Sequence, residues 1–273
     1  MGEIVYSAEP ELRNRARFCR AAAADLRAGV PIGWRLFRSN MRVRYRRSWF
    51  GYVWLLLPAL GTAVIAAFVQ SQRIVGFGET EIPYPAFVLA GIILWQVFVE
   101  ALNAPVQQLQ AGRQLVTRSR VPHEALILAG LFELLLNAAV RLLVLGAALA
   151  MLGVTLHATL LLVPVAAMSL ALLGLAIGLA AAPLGMLYDD VSRAMALGLG
   201  FAFFLTPILY PIGAGSPLRF NPLAPALRSA RQWIAGEGAA PGFFLVTAAS
   251  AALLLVAWLF YRLARPHFVS RLG

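Results

Sequence analysis

Long apolar runs separated by short polar stretches dominate the hydrophobic pattern of this chain. The first run continues from Trp49 to Val69 without a charged residue. A helix rises about 1.5 Å per residue, so about 20 apolar residues cross a hydrocarbon layer of about 30 Å. The pattern therefore predicts an all-α membrane protein. We place six transmembrane helices, at residues 49–69, 86–106, 124–150, 159–187, 194–212 and 242–261.

The arginines indicate which side of the membrane each loop occupies. Arginine beside a span stays preferentially in the cytoplasm. Of the 23 basic residues, 18 fall in segments that a six-span topology places inside the cell. We therefore expect both termini in the cytoplasm, with an N-terminal cytoplasmic segment at residues 1–30, a transmembrane domain at 49–262 and a tail at 263–273.

Residues 31–48 are predicted to form an amphipathic helix that lies in the membrane surface. Its arginines occupy mainly the flanks and back of the helix. Gly29 and Pro31 predict a break between it and a short preceding helix. One stripe of the helix contains its larger apolar side chains, which are Trp34, Phe37, Met41 and Tyr45.

Residues 213–241 separate the fifth and sixth spans and are interrupted by Pro217, Pro222 and Pro225. Two short helices, either re-entrant or at the outer surface, suit this stretch better than a full span. In the fourth span, Gly174 and Gly178 predict close approach to a neighbouring helix.

Composition and charge narrow the function classes. The chain is 60% hydrophobic and has a formal net charge of +11. Its arginines lie beside apolar spans, so anionic lipids are the nearer partner, and nucleic acid is not expected. All basic residues are arginine, which excludes a phosphate-binding loop ending in Gly-Lys-Ser/Thr. Cys19 is the single cysteine and the three histidines are scattered, so we predict no metal site.

The third span contains Glu133, Asn137 and Arg141 at successive i+4 positions. This spacing predicts a buried polar seam, in which Glu133 and Arg141 compensate each other directly, through Asn137, or across to a neighbouring helix. A proton relay is the alternative interpretation. In the second span, Glu100 is a candidate lining or structural residue.

Six segments, taken in chain order, match the pattern of one known family. They are VRYRRSWFGYVWLLLPAL at 43–60, IPYPAFVLAGIILW at 82–95, LVTRSRVPHEALILAG at 115–130, LYDDVSRAMALGLGFAFFLTPILYPI at 187–212, FNPLAPALRSARQWIAG at 220–236 and the closing FYRLARPHF. On these segments the chain resembles the ABC-2 type membrane subunits of bacterial polysaccharide exporters, which serve O-antigen, capsule or teichoic acid.

The resemblance implies a homodimer with two copies of an ATPase subunit beneath it, located in the bacterial inner membrane. Such a complex exports a lipid-linked polysaccharide through a channel at the dimer interface. The chain itself is then a transport subunit and not an enzyme, and ATP and Mg²⁺ bind to the partner ATPase. Alternatives are an ABC-2 exporter of a small lipid or drug, or a proton-coupled carrier that uses Glu133 and Arg141.

The resemblance also suggests roles for individual residues, and no catalytic residue is among them. The candidate sugar contacts in the channel are Tyr52, Trp54, Phe201, Phe204 and Tyr210. The region of ATPase coupling contains Arg113, Arg118 and Arg120. The gate helices contain Arg219, Asn221, Arg228 and Arg231. Independently of the resemblance, the arginine cluster before the first span is interpreted either as an entrance that attracts a lipid-linked phosphate or as a plain topology signal and lipid anchor; it consists of Arg42, Arg44, Arg46 and Arg47.

Overall fold

The computed structural model describes residues 15–45, 57, 60, 61, 64, 65, 68, 80–112, 123–213 and 215–269. The helices are α1 (Arg15–Tyr45), α2 (Tyr84–Ala111), α3 (His123–Met151), α4 (Val163–Leu187), α5 (Asp190–Leu205), α6 (Ala224–Ala235) and α7 (Phe243–Val269). The described part of the chain also contains two 3₁₀ helices, Ala158–Leu162 and Pro217–Phe220. No strand occurs in these described ranges, so the predicted all-α class is confirmed.

Within the described residues, four helical segments are long and apolar enough to cross a membrane. They are Tyr84–Ala111, Glu124–Met151, Ala158–Leu187 and Phe243–Ala264. They coincide with the second, third, fourth and sixth predicted spans. Most of the first predicted span lies outside the described residues, and it is helical at the six positions that are described. The full count of six spans and their orientation stay predictions.

The helix at the fifth predicted span, 194–212, is shorter than expected. α5 has 16 residues and ends at Leu205, after which the chain bends from Thr206 to Tyr210. Thr206 is extended, with φ −100° and ψ 136°, because the ring of the following Pro207 disfavours the helical conformation at the preceding residue. Pro207 also has no N–H group for a helical hydrogen bond.

α1 runs without interruption through Pro31, so the break predicted at Gly29 and Pro31 is wrong. Packing against α3 explains the continuity. A Cβ atom on Gly29 would lie 3.3 Å from the backbone N of Ala125, and one on Gly33 would lie 2.9 Å from its carbonyl O. The glycines let the two helices touch along this part of α1, and the contact holds a helical conformation that proline alone disfavours.

The predicted apolar stripe of α1 packs partly on the protein. Phe37 is buried, and the Trp34 ring lies 5.2 Å from the ring of Phe37 and 5.3 Å from that of Phe132. Further along, Met41 is half-buried and Val43 is exposed. The N-terminal helix is therefore attached to the transmembrane bundle through aromatic contacts with α3.

α4 lies at the centre of the bundle, where it packs against both α2 and α7. α3 packs against α2, and α1 packs against α3. A Cβ atom on Gly178 would lie 2.1 Å from the carbonyl O of Leu102, and one on Gly174 would lie 2.7 Å from that of Phe98. The predicted close approach at these glycines is confirmed, and it brings α4 into contact with the backbone of α2.

The two short helices predicted between the fifth and sixth spans are observed. The 3₁₀ helix Pro217–Phe220 leads into α6. The C-cap residue of α6 is Gly236, which adopts the left-handed conformation with φ 92°. α6 packs against α2, α4 and α7, so it is anchored to the bundle.

Candidate functional site

Two polar stripes face each other between α2 and α3. The stripe on α2 has 4,3,4 spacing and consists of Gln96, Glu100, Asn103 and Gln107. The stripe on α3 consists of Glu133, Asn137 and Arg141, and continues to Gly130. Both stripes line a cavity of about 510 Å³, to which Trp95 and Phe203 also contribute. This cavity is the candidate site.

Glu100 joins the two stripes through both of its carboxylate oxygens. Asn137 donates from Nδ2 to Oε1 of Glu100, and Arg141 donates from Nη1 to Oε2. Asn137 and Arg141 are buried, at 2% and 6% exposure. Of the three arrangements predicted for the seam, the structure shows compensation across to a neighbouring helix. Ion pairing of this kind is how a charged residue within a span is normally accommodated.

Glu133 has a different partner on α2. Gln108 donates from Nε2 to Oε2 of Glu133 over 3.2 Å. Gly130 makes room for this contact, because a Cβ atom there would lie 2.8 Å from Cγ of Gln108. The two carboxylates of the cavity are thus held by separate partners.

The cavity retains unused hydrogen-bonding capacity. Among the described residues that line the cavity, three buried atoms have no partner: Oε1 of Gln96, Oδ1 of Asn137 and Nε of Arg141. Trp95 and Phe203 meet edge to face, with ring centroids 5.8 Å apart. The site therefore combines acceptors, a donor and aromatic rings, a combination that suits a polar ligand with apolar faces.

A second polar arrangement lies where the chain bends after α5. Arg231 of α6 donates to the carbonyl oxygens of Pro207 and Ile208, each over 2.8 Å, and to that of Phe87 over 3.3 Å. The hydroxyl of Tyr84 donates to the carbonyl oxygen of Leu209 over 3.0 Å. These donors bond to three successive backbone carbonyls that are not part of a helix. A backbone carbonyl buried away from water needs such a hydrogen-bond partner.

Arg231 was predicted as a residue of the gate helices, and it lies in the protein interior at 3% exposure. Burial lowers the pKa of its guanidinium to about 9, which leaves it protonated at neutral pH. Asn221 donates to the carbonyl O of Leu205 over 3.0 Å and accepts from the backbone N of Leu223 over 2.9 Å. Asn221 thus links the end of α5 to the start of α6. Arg219 is exposed and Arg228 is half-buried.

The predicted channel aromatics of α5 lie at its surface. Phe201 and Phe204 are 72% and 71% exposed. Tyr210 is half-buried, and its hydroxyl donates to the carbonyl oxygen of Phe204 over 2.7 Å. These three residues therefore lie on or beside one helix surface, while Phe203 lines the cavity.

The structure does not show what the predicted entrance arginines and ATPase-coupling arginines do. Arg42 is exposed on α1. The other predicted side chains lie outside the described residues. They are those of Arg44, Arg46, Arg47, Tyr52, Trp54, Arg113, Arg118 and Arg120. Their assignments stay predictions.

Sequence reasoning missed several residues of the two arrangements. The 4,3,4 spacing from Gln96 to Gln107 is a signal that indicates the polar face of α2 in advance. No comparable signal marks Phe87 as a partner of Arg231, since 144 positions separate the two residues.

Comparison with known proteins adds the family. Residues 33–234 match the family model described as ABC-2 type transporter. An O-antigen export system permease protein RfbA of Klebsiella pneumoniae is 26% identical over 200 residues, which cover 71% of this chain and 76% of the relative. A protein of the same name from Myxococcus xanthus is 28% identical over 184 residues, with 65% and 67% covered. The match confirms the family resemblance seen in the sequence, and the chain belongs to the ABC-2 type transporter family.

Proposed function

We propose that this chain is the transmembrane subunit of an ATP-binding-cassette exporter for a lipid-linked polysaccharide of the O-antigen or capsule type. The observation that carries this proposal is the ABC-2 match over residues 33–234, together with relatives named as O-antigen export permeases. The relatives are named as permease proteins, which also supports the assignment of this chain as a transport subunit and not an enzyme. The membrane is then the bacterial inner membrane, and the substrate moves outward from the cytoplasm.

The proposed exporter is a homodimer with two copies of an ATPase subunit. The homodimer is what the family resemblance implies; the exposed rings of Phe201 and Phe204 do not by themselves identify the interface, because lipid tails are as apolar as these side chains. A partner ATPase is required because the chain has no lysine for a phosphate-binding loop. That partner binds ATP and Mg²⁺, with Arg113, Arg118 and Arg120 in the coupling region, while Arg42 and its neighbours attract the lipid-linked phosphate.

Deleting the gene in its native strain tests the proposal. Surface and intracellular glycan are labelled separately, with the deletion complemented by the wild-type gene. We expect surface glycan to disappear and long chains to accumulate inside the cell. Unchanged surface glycan in a strain without a redundant exporter would leave the ABC-2 exporter of a small lipid or drug as the better interpretation.

The energy source is tested in the same strain. Replacing the phosphate-binding-loop lysine of the partner ATPase should abolish export as completely as the deletion does. Export that continues with an inactive ATPase would contradict the ABC mechanism and favour a proton-coupled carrier based on Glu133 and Arg141.

A further inference from the structure

We infer that the cavity between α2 and α3 binds an uncharged sugar unit of the exported chain. This inference rests on the proposed function, because it names the part of the substrate that the candidate site contacts. The site is separate from the exposed α5 aromatics to which the family resemblance assigns sugar contacts.

The size of the cavity suits a small polar ligand. Its volume of about 510 Å³ lies within the range of about 300–1,000 Å³ that is common for small-molecule sites. Asn103 is half-buried and Gln107 is exposed, so side chains near the opening remain accessible.

The hydrogen-bonding groups of the cavity match a polyhydroxyl ligand. A hydroxyl group both donates and accepts, so one sugar can serve acceptors and donors together. Oε1 of Gln96 and Oδ1 of Asn137 are acceptors without a partner within the described part of the chain, and Nε of Arg141 is such a donor. Buried polar atoms normally have a partner, and sugar hydroxyls would provide one here.

The aromatic residues of the cavity provide the second component of sugar recognition. Trp95 and Phe203 both line it, and their rings are inclined at 71° to each other. A ring face offers an apolar surface on which the C–H face of a sugar packs, while the sugar hydroxyls stay directed toward polar groups. The cavity therefore presents both kinds of contact to one ligand.

The charges of the site favour an uncharged ligand. Glu100 and Glu133 are carboxylates, and Arg141 is the single cationic side chain that lines the cavity in the described part of the chain. Arg141 already pairs with Glu100. A phosphate group would meet an excess of negative charge here, whereas a neutral sugar would not.

The positions of the cavity-lining residues along their helices suggest at which depth in the membrane the sugar binds. Glu100, Asn103 and Gln107 lie in the C-terminal half of α2, and Glu133 lies in the first half of α3. In the predicted topology these halves face the cytoplasm. Trp95 and Gln96 lie in the first half of α2, Arg141 lies in the second half of α3, and Phe203 lies near the end of α5, all of which the predicted topology directs outward. The cavity therefore receives a sugar unit near the middle of the membrane, with Gln107 on its cytoplasmic side.

Site-specific photo-crosslinking in the glycan-producing strain tests the inference. The full-length protein carries benzoylphenylalanine at Gln107, which is exposed and lines the cavity. The matched control carries it at Leu143 on α3, which is 75% exposed and is not a lining residue. After irradiation and purification, we expect at least fivefold more covalently attached glycan at position 107. Equal labelling at the two positions would overturn the inference.

Substitutions provide a second test that needs no crosslinker. Asn103→Leu and Gln107→Leu remove hydrogen-bonding groups without touching the Glu100 or Glu133 pairs. We expect each to reduce surface glycan at least fivefold at an unchanged protein level, while Gln107→Asn retains most of the export. If both leucine variants export normally in a strain where the gene deletion abolishes surface glycan, the sugar site is wrong and the export function stands. If the deletion itself leaves surface glycan unchanged, both proposals fail.

Discussion

The guanidinium of Arg231 lies over the ring of Phe87, with Cζ of Arg231 3.4 Å from the ring centroid. The same group donates to the carbonyls of Pro207 and Ile208. One side chain of α6 therefore binds both the bend after α5 and the first turns of α2. This geometry uses the planar fork of arginine, which lysine cannot reproduce.

Replacing Arg231 should destabilise the protein strongly. We expect Arg231→Met to lower the free energy of unfolding by about 3–5 kcal/mol, because each buried carbonyl left without a donor costs roughly 1–3 kcal/mol. Thermal unfolding of the purified protein in detergent measures the effect. Arg228→Met, at a half-buried position of the same helix, is the control and should change stability by about 1 kcal/mol or less. Equal effects of the two variants would contradict the role of Arg231.

Gly91 should not tolerate a methyl group. A Cβ atom there would lie 2.5 Å from Nη2 of Arg231 and 2.7 Å from the carbonyl O of Ile208. We expect Gly91→Ala to lower the thermal midpoint clearly, and to do so less in the Arg231→Met background because the two residues are in contact. Gly146→Ala is the control, since nothing lies within 4 Å of its added Cβ atom. Alanine should stabilise that helix by up to about 1 kcal/mol.

The ion pair between Glu100 and Arg141 should show coupled mutational effects. Glu100→Gln leaves a buried guanidinium without its carboxylate, and we expect a loss of about 3–5 kcal/mol. Removing both charges in Glu100→Gln/Arg141→Met should restore a large part of that stability. A double-mutant cycle from thermal or denaturant unfolding measures the coupling. Strictly additive effects would mean that the pair contributes no specific interaction.

Replacing Arg262 should destabilise the protein more than replacing Asp25, although the two residues form one ion pair. Nη2 of Arg262 lies 2.7 Å from Oδ2 of Asp25, and the side chains are 8% and 45% exposed. We expect Asp25→Asn to cost less than Glu100→Gln, because Asp25 is 45% exposed and water at this position can still solvate the guanidinium of Arg262. Arg262→Ala should cost more, because a buried side chain is lost. Limited trypsin digestion of α1 should accelerate more in the Arg262 variant, and the reverse order would contradict this asymmetry.

Much of the fold follows from local pattern. The positions of the second, third, fourth and sixth spans were predictable because an apolar run of sufficient length has one low-energy solution in a membrane, a helix. The polar spacing of Glu133, Asn137 and Arg141 likewise predicted a seam on one helical face. The glycines of α4 predicted a close contact without naming the partner helix.

Tertiary structure decided the rest, because it depends on groups that are distant in sequence. Packing of Gly29 and Gly33 against α3 keeps α1 helical through Pro31, against the local preference. Pairing of Arg141 with Glu100, and not with Glu133 on its own helix, depends on how α2 and α3 are set against each other. Local pattern was enough to locate four spans and the polar seam of α3, but not the continuity of α1 through Pro31 or the end of α5 at Leu205. The partners were selected only when α2, α3 and α6 came together, since a buried charge takes the nearest counter-group that the packing supplies.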